Sequence, residues 1–215
     1  DLFMKLKSFS YSIIRFYHLF RKHILHRDVQ MFISPITVKH IERYRLAGSL
    51  ISPGSRVLDA ACGSGYGSAF LKDCDYVGID LDGSVLQYAR QNYAGVFEQL
   101  SIHEVVKLGK FDAIISFETL EHLDDPQGGM SALMSCLKPG GCLILSFPLN
   151  HPDDIYHKTI FTSEGVNELF VECFGSRTFE RRDFFQSAIL IDDLKQKLSE
   201  TEEGTLTVLL QEIVD

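Results

Sequence analysis

The most informative stretch of this 215-residue chain is Arg56-Val57-Leu58-Asp59-Ala60-Ala61-Cys62-Gly63-Ser64-Gly65-Tyr66-Gly67. An apolar run carries the acidic residue Asp59 into a glycine-rich turn, an order typical of a strand, a loop and then a helix. At Gly63, Gly65 and Gly67 the backbone has no side chain, so it can adopt positive φ and approach a ligand closely. The N–H groups of such a turn, and of the helix that follows, favour a carboxylate or a phosphate. The stretch therefore predicts a ligand-binding turn behind a strand.

A second acidic residue strengthens this prediction. Asp80 ends another apolar run, Tyr76-Val77-Gly78-Ile79, downstream of Gly63. A nucleotide-binding βαβ unit places a carboxylate for ribose hydroxyls roughly 20 residues beyond its glycine turn. We therefore expect Asp80 to lie beside the turn at the carboxyl edge of a parallel sheet.

The rest of the chain alternates between apolar runs and amphipathic segments. Predicted helices cover Ile36–Ile51, Tyr66–Lys72, Ser84–Tyr93 with Ser84 as its N-cap, Gln127–Leu137 and Ser163–Phe174. Predicted strands cover Val57–Ala61, Tyr76–Asp80, Val96–Leu100, Phe111–Phe117, Cys142–Phe147, Thr178–Phe185 and Leu206–Ile213. This alternation predicts an α/β, doubly wound, Rossmann-like fold. We expect a seven-stranded, mostly parallel sheet with an antiparallel C-terminal edge strand.

Composition narrows the classes of function. The formal net charge of −8 argues against a dedicated nucleic-acid binder, whose surface should be basic. The 5 cysteines lack the spacing of a disulfide framework or a zinc site, and reduced thiols are typical of a cytosolic protein. No run reaches the roughly 20 apolar residues of a membrane span. We expect a cytoplasmic protein with a small-molecule partner, and no feature of the sequence specifies an oligomeric state.

The first 30 residues differ from the rest in being basic and aromatic. One interpretation is a basic amphipathic helix that contacts a membrane surface or caps the active site. The other is a helix packed on the core with its lysines in solvent. No secretory signal peptide is expected, because Arg15 and Arg21 interrupt the apolar stretch.

With these motifs placed, the chain resembles the class I S-adenosylmethionine-dependent methyltransferases, in particular the small-molecule branch of methyltransferase types 11, 12 and 23. The segments that carry the resemblance are Val57–Gly65 for the first motif, Gly78–Asp80 for the second, Phe111–Ser116 for the fourth and Leu137–Gly141 for the turn before strand five. The resemblance implies a methyltransferase domain over residues 36–215, preceded by an N-terminal helical segment over residues 1–35. It also implies S-adenosylmethionine as cofactor and S-adenosylhomocysteine as product.

The resemblance further implies individual cofactor contacts. The backbone of Gly63 and Gly65 would pass beside the methionine moiety, with Asp59 near its amino group. Asp80 would accept both ribose hydroxyls, and Leu81 would pack against adenine.

Five more positions follow from the same resemblance. Phe117 and Glu118 would flank the sulfonium, and Ser101 stands near the adenine amino group. Ala61 stands where the first glycine of the motif is common. Arg43 would pair with the cofactor carboxylate, since a guanidinium suits a bidentate contact; the alternative is a surface arginine on an amphipathic helix.

Methyl transfer from a sulfonium needs alignment and, for a hydroxyl acceptor, a base. We predict O-methylation of a small molecule such as a sugar or a quinone precursor, with His122, His151, His157 and Glu118 as catalytic candidates. Alternatives are a metal-assisted RNA 2′-O-methyltransferase and a non-catalytic scaffold domain that binds S-adenosylmethionine.

The segment Glu118-Thr119-Leu120-Glu121-His122 suggests a metal site. On a helical turn, its two carboxylates and its imidazole would share one face. Together with His157 they resemble the metal-binding set of small-RNA 2′-O-methyltransferases, and some quinone O-methyltransferases carry a similar Glu-x-x-Glu-His. Such ligands suit Mg²⁺ or Mn²⁺. We favour the metal-free alternative, in which the segment shapes the pocket and caps a helix.

Overall fold

A mixed β-sheet covered by helices on both faces organises the chain, as a computed structural model shows for residues 35–152, 155–187, 191–193 and 203–214. The helices are α1 (Pro35–Leu50), α2 (Gly83–Asn92), α3 (Pro126–Cys136) and α4 (Ser163–Phe174). Short 3-10 helices cover Tyr66–Phe70, Ile102–Leu108 and Leu120–His122. The strands are β1 (Arg56–Ala60), β2 (Asp75–Asp80), β3 (Val96–Gln99), β4 (Phe111–Phe117), β5 (Leu137–Leu149), β6 (Thr178–Gln186), β7 (Asp192–Asp193) and β8 (Gly204–Ile213).

The strand order is β3-β2-β1-β4-β5-β8-β6-β7. Strands β1 to β5 are parallel, whereas β8 is antiparallel to both β5 and β6. The order reverses between β1 and β4, and ligands of open α/β sheets bind in the crevice at the carboxyl ends of such a pair. The topology therefore places the site at the carboxyl rim of β1 and β4.

The predicted Rossmann-like, mostly parallel sheet is confirmed, and each of its seven predicted strands occurs. The two-residue strand β7 is an addition to them. The C-terminal strand is antiparallel as predicted, but it lies between β5 and β6 rather than at the edge. Because β8 pairs with β5 over the whole of Cys142–Leu149, it is held more firmly than an edge strand would be.

The start of one helix and the start of one strand differ from the prediction. Asp82, rather than Ser84, is the N-cap of α2, since its Oδ1 accepts from Ser84 N at 2.8 Å. An aspartate carboxylate in this position satisfies an N–H that would otherwise lack an intrahelical partner. Strand β5 begins at Leu137 and so includes the Lys138-Pro139-Gly140-Gly141 turn, which we expected to precede the strand.

Apolar packing occurs on both faces of the sheet. Val57 packs in the cluster that includes Tyr44 and Ala47 of α1, and the next residue, Leu58, packs in the cluster that includes Leu133 of α3. Successive strand side chains point to opposite faces, so Asp59 lies on the α1 side with Val57. Asp59 of the first motif therefore faces helix α1.

Within the described residues, no helix has the length and apolarity to cross a membrane. Residues 1–34, which include nearly all of the expected N-terminal segment, lie outside the described residues. Both interpretations of that segment stay predictions.

Candidate active site

Three residues with strained backbones mark the carboxyl rim of the sheet. Ala61, Glu118 and Asn150 directly follow β1, β4 and β5, and their φ angles are 64°, 51° and 56°. A non-glycine residue in this left-handed region costs about 1–2 kcal/mol. Such strain clusters at functional sites, and here it falls on three strands that are neighbours in the sheet.

The glycine turn follows Ala61 and needs its glycines for two separate reasons. Gly63 and Gly65 have φ angles of 54° and 80°. A Cβ on Gly65 would also lie only 2.5 Å from Cε1 of Phe97, so no side chain fits there. The turn therefore presents bare backbone to the rim, as the sequence predicted.

Asp80 lies directly beside this turn. Its Oδ2 accepts from Gly63 N at 3.0 Å, and its Oδ1 accepts from Asp82 N at 2.9 Å. Each oxygen keeps a further lone pair, so the fixed carboxylate can still accept from two hydroxyls. The next residue, Leu81, is 70% exposed and presents an apolar surface next to the Asp80 carboxylate. Ser101 lies half-buried at the same rim and caps the 3-10 helix Ile102–Leu108.

Asp59 is completely buried behind the turn. Its Oδ2 accepts from the hydroxyls of Tyr44 at 2.9 Å and Tyr76 at 2.5 Å, whereas Oδ1 has no hydrogen-bond partner within the described residues. Burial raises the pKa of the Asp59 carboxyl to about 6; the two tyrosine hydrogen bonds oppose this shift, and the charge of Asp80 adds to it. The site thus holds a buried carboxyl with one unused acceptor.

Arg43 is 1% exposed, so its interpretation as a surface arginine is wrong. Its Nη1 donates to Oε1 of Gln186 at 2.9 Å and lies 3.7 Å from Oε1 of Glu118. Its Nε is buried and has no hydrogen-bond partner in the part of the chain that the structure describes. Helix α1 therefore brings a guanidinium to the end of β4.

The charge of Arg43 affects both titratable neighbours. Burial alone would raise the pKa of the Glu118 carboxyl, but the charge of Arg43, the charge of His40 when it is protonated and a hydrogen bond from Thr205 outweigh it, so the pKa lies below its ordinary value. Burial and Arg43 together lower the pKa of His40 to about 4, against the opposing effect of Glu118. At neutral pH the cluster therefore contains a carboxylate, a guanidinium and a neutral imidazole.

A second group of polar side chains lies on the same rim. Potential ligand atoms of Glu121, His122 and His157 all lie within 4.8 Å of one another. His122 Nδ1 is 3.0 Å from the carbonyl oxygen of Tyr156 and, because a carbonyl only accepts, donates to it, while Nε2 lies 3.7 Å from Oε1 of the buried Glu121. Metal-binding histidines are commonly oriented in this way. The three residues fit a divalent cation.

The predicted set of four ligands is thereby corrected. Glu118 does not share a helical face with Glu121 and His122, because its positive φ places it before the 3-10 turn Leu120–His122. Its carboxylate faces Arg43 instead. His151 is half-buried in the loop after β5 and affects the Glu118 carboxyl electrostatically.

Phe117 ends β4 as a buried residue and packs edge-to-face on Tyr44, with ring centroids 5.1 Å apart. The sequence did not reveal four residues that contact these groups, which are His40, Tyr44, Tyr76 and Gln186. The one available signal was Tyr76, which stands two residues before Gly78 in β2, and Gly78 pairs with Asp59 of the neighbouring strand.

The fold and this rim define a cofactor-binding α/β protein of the Rossmann-like class. A family profile described as a methyltransferase domain matches residues 36–196. The chain belongs to this family and is an S-adenosylmethionine-dependent methyltransferase of the class I fold, as the resemblance predicted.

Curated relatives share moderate identity. The ubiquinone biosynthesis O-methyltransferase of Marinobacter nauticus is 29% identical over 185 residues, covering 80% of this chain and 73% of the relative. That of Bordetella avium is 34% identical over 157 residues, covering 69% and 62%. An uncharacterised protein of Synechococcus sp. is 38% identical over 100 residues, covering 41% and 24%. The chain thus spans only part of the length of these relatives.

Solved structures share the fold at low identity. The N-methyltransferase NodS of Bradyrhizobium japonicum in complex with S-adenosylhomocysteine has a TM-score of 0.64 at 17% identity, over 91% of this chain and 97% of its own. The magnesium protoporphyrin IX methyltransferase of Synechocystis has a TM-score of 0.63 at 16% identity, over 91% and 93%.

Proposed function

We propose that the chain transfers the methyl group of S-adenosylmethionine to an oxygen atom of a small molecule. The observation that carries this proposal is the fixed arrangement of Gly63 and Asp80, joined by a 3.0 Å hydrogen bond at the carboxyl rim of the sheet. The names of the Marinobacter and Bordetella relatives support oxygen as the acceptor atom.

In this proposal the turn and the β2 end bind the nucleoside. Asp80 accepts from the ribose hydroxyls, the exposed Leu81 packs on adenine, and Ser101 borders the adenine amino group. The backbone of Ala61, Gly63 and Gly65 runs beside the methionine moiety.

The other half of the cofactor lies against α1 and β4. The unused Oδ1 of Asp59 suits the amino group, and the Arg43 guanidinium suits the carboxylate. Phe117 and Glu118 flank the sulfonium. A sulfonium methyl is already activated, so the main contribution of the protein is to align donor and acceptor.

The acceptor hydroxyl needs a proton acceptor. Glu118 is disfavoured as the base, because its pKa lies below the ordinary value of a carboxyl and a good base titrates near the working pH. His122 has a lone pair on Nε2, and His151 and His157 lie in the loop after β5. We therefore propose that one of these three histidines accepts the proton, with His122 held in the required tautomer by Tyr156.

Cofactor binding and turnover test the proposal separately. Calorimetry should detect S-adenosylhomocysteine binding to the wild type, and Asp80→Ala should weaken it. Asp82→Ala is the matched control, because it removes a neighbouring carboxylate whose Oδ1 accepts from Ser84 N as the cap of α2. Methyl transfer to hydroxylated aromatic and sugar acceptors would then be followed by mass spectrometry; wild-type protein that binds no S-adenosylhomocysteine would refute the function.

A metal-assisted O-methylation is a second candidate, favoured by the Glu121, His122 and His157 group. These residues would hold a divalent cation, which supplies Lewis-acid polarisation of an acceptor oxygen when bound. Turnover that is lost with a chelator and restored by Mg²⁺ or Mn²⁺ would support it, and His157→Ala should abolish the metal response. His103→Ala, on the 3-10 helix after β3, is the control.

We also propose a cytoplasmic location and a small-molecule acceptor rather than a nucleic acid. All 5 cysteines are free thiols, as is typical of a reducing compartment. The net charge of −8 disfavours a polyanion. A melting temperature that a reductant does not change would agree with the proposed location. Stoichiometric binding of RNA at physiological salt would contradict the choice of a small-molecule acceptor.

A further inference from the structure

A buried glutamine from the distant end of the sheet holds Arg43 in place. Gln186, the last residue of β6, is 0% exposed and lies 143 positions from Arg43. Its Oε1 accepts from Arg43 Nη1 at 2.9 Å, and its Nε2 donates to the carbonyl oxygen of Lys39 at 3.3 Å. Lys39 Nζ in turn donates to the carbonyl oxygen of Ser187 at 3.2 Å. The end of β6 therefore fixes both the backbone of α1 and the guanidinium that α1 carries.

The charge of Arg43 is only loosely compensated. The carboxylate of Glu118, at 3.7 Å, is beyond hydrogen-bonding distance, and the Gln186 amide is neutral. Among the described residues the Nε donor has no hydrogen-bond partner, and a buried unsatisfied donor costs about 1–3 kcal/mol. A ligand that brings an anionic oxygen to this guanidinium would relieve that cost.

We propose that Gln186 is a positioning residue for the amino-acid end of the methyl donor: it anchors Nη1 of Arg43 so that the remaining donors of the guanidinium receive the carboxylate of the cofactor. This inference rests on the proposed function. The charges of the cofactor support it, since the sulfonium and the carboxylate have opposite signs. When the cofactor binds, Glu118 faces the sulfonium and Arg43 binds the carboxylate. The ion pair between Arg43 and Glu118 then separates at little cost, because each residue gains an oppositely charged group of the cofactor.

Two ligands distinguish positioning from a general structural role. S-adenosylhomocysteine contains the amino-acid end, whereas 5′-methylthioadenosine has the same nucleoside and thioether without it. Their affinities would be measured by calorimetry for the wild type, Gln186→Met and Gln186→Glu. Met keeps the length of the side chain without its hydrogen bonds, and Glu keeps its shape but adds a carboxylate that competes for Arg43. Gln211→Met is the matched control, because Gln211 Nε2 donates to Gly140 O at 2.8 Å on the opposite rim.

Gln186→Met should weaken S-adenosylhomocysteine by about tenfold, the loss expected for a hydrogen bond to a charged group, and leave 5′-methylthioadenosine within about twofold. Gln186→Glu should weaken S-adenosylhomocysteine further, and Gln211→Met should change neither affinity. Equal effects on both ligands, or none on S-adenosylhomocysteine, would overturn the inference. If Gln186→Met does not fold, the isosteric Gln186→Glu decides alone. Wild-type protein that binds neither ligand would instead overturn the proposed function itself.

Discussion

Replacing Asp59 by asparagine should make the stability of the protein less sensitive to pH. Burial raises the pKa of the folded-state carboxyl to about 6, from 3.8 as its ordinary value. Below pH 3.8 both the folded and the unfolded states are protonated at this position. Between these values the unfolded chain releases its proton first, so stability falls as pH rises through the folded-state pKa.

The size of this effect follows from the shift. A shift of about two pKa units at about 1.4 kcal/mol each destabilises the folded state by about 3 kcal/mol, and the full destabilisation is present above the folded-state pKa. An asparagine keeps an acceptor for Tyr44 and Tyr76 and never ionises. The difference in free energy of unfolding, variant minus wild type, should therefore rise by about 3 kcal/mol between pH 4 and pH 7.5.

Urea unfolding of the cofactor-free protein at several pH values measures this difference directly. Asp112→Asn is the control with the opposite sign. A hydrogen bond from Lys138 and one from the Arg56 backbone lower the pKa of Asp112, so its contribution is present at neutral pH and is lost as pH falls. A difference for Asp59→Asn that stays constant from pH 4 to pH 7.5 would refute the raised pKa and the desolvation argument behind it.

Other substitutions test the rim. Binding of S-adenosylhomocysteine to the wild type should weaken below pH 6, as Asp59 protonates, and calorimetry should find this pH dependence absent in Asp59→Asn. Ala61→Gly should raise the free energy of unfolding by about 1 kcal/mol, because glycine relieves the positive φ; an unchanged or lower melting temperature would contradict the strain. Gly65→Ala should have the opposite effect and cost more, since its Cβ would lie 2.5 Å from Phe97; thermal unfolding equal to wild type would exclude that clash.

The sequence predicted that the glycine turn and Asp80 lie side by side because both belong to local segments. Gly63 and Gly65 follow a strand within one turn, and Asp80 ends the next strand. Parallel pairing then brings the two strand ends together whatever the rest of the chain does. The resemblance assigned Leu81 to the adenine, and in the structure its side chain is 70% exposed directly after Asp80.

The sequence did not predict the polar cluster around Arg43, because its members meet only through tertiary contacts. Gln186 and Thr205 are far from Arg43 along the chain. They pair across β6 and β8, where Gln186 hydrogen-bonds Arg43 and Thr205 hydrogen-bonds Glu118. An arginine on an amphipathic helix gives no sign of which side it faces when the buried side is itself polar. The sequence also did not predict the burial of Asp59. The two hydroxyls that donate to its Oδ2 come from Tyr44, which precedes it in the chain, and from Tyr76, which follows it.

The incorrect prediction for Glu118 shows how one backbone torsion divides the rim. Helical spacing assigned Glu118 to the same face as Glu121 and His122, but a φ of 51° turns the chain before the 3-10 helix begins. The Glu118 N–H is held there by Ser146 Oγ of β5 at 3.0 Å, so the bend is fixed by the neighbouring strand. As a result the carboxylate points to Arg43 and the histidine group stays separate. Cofactor charge recognition and acceptor chemistry can therefore occupy adjacent sites without sharing a ligand.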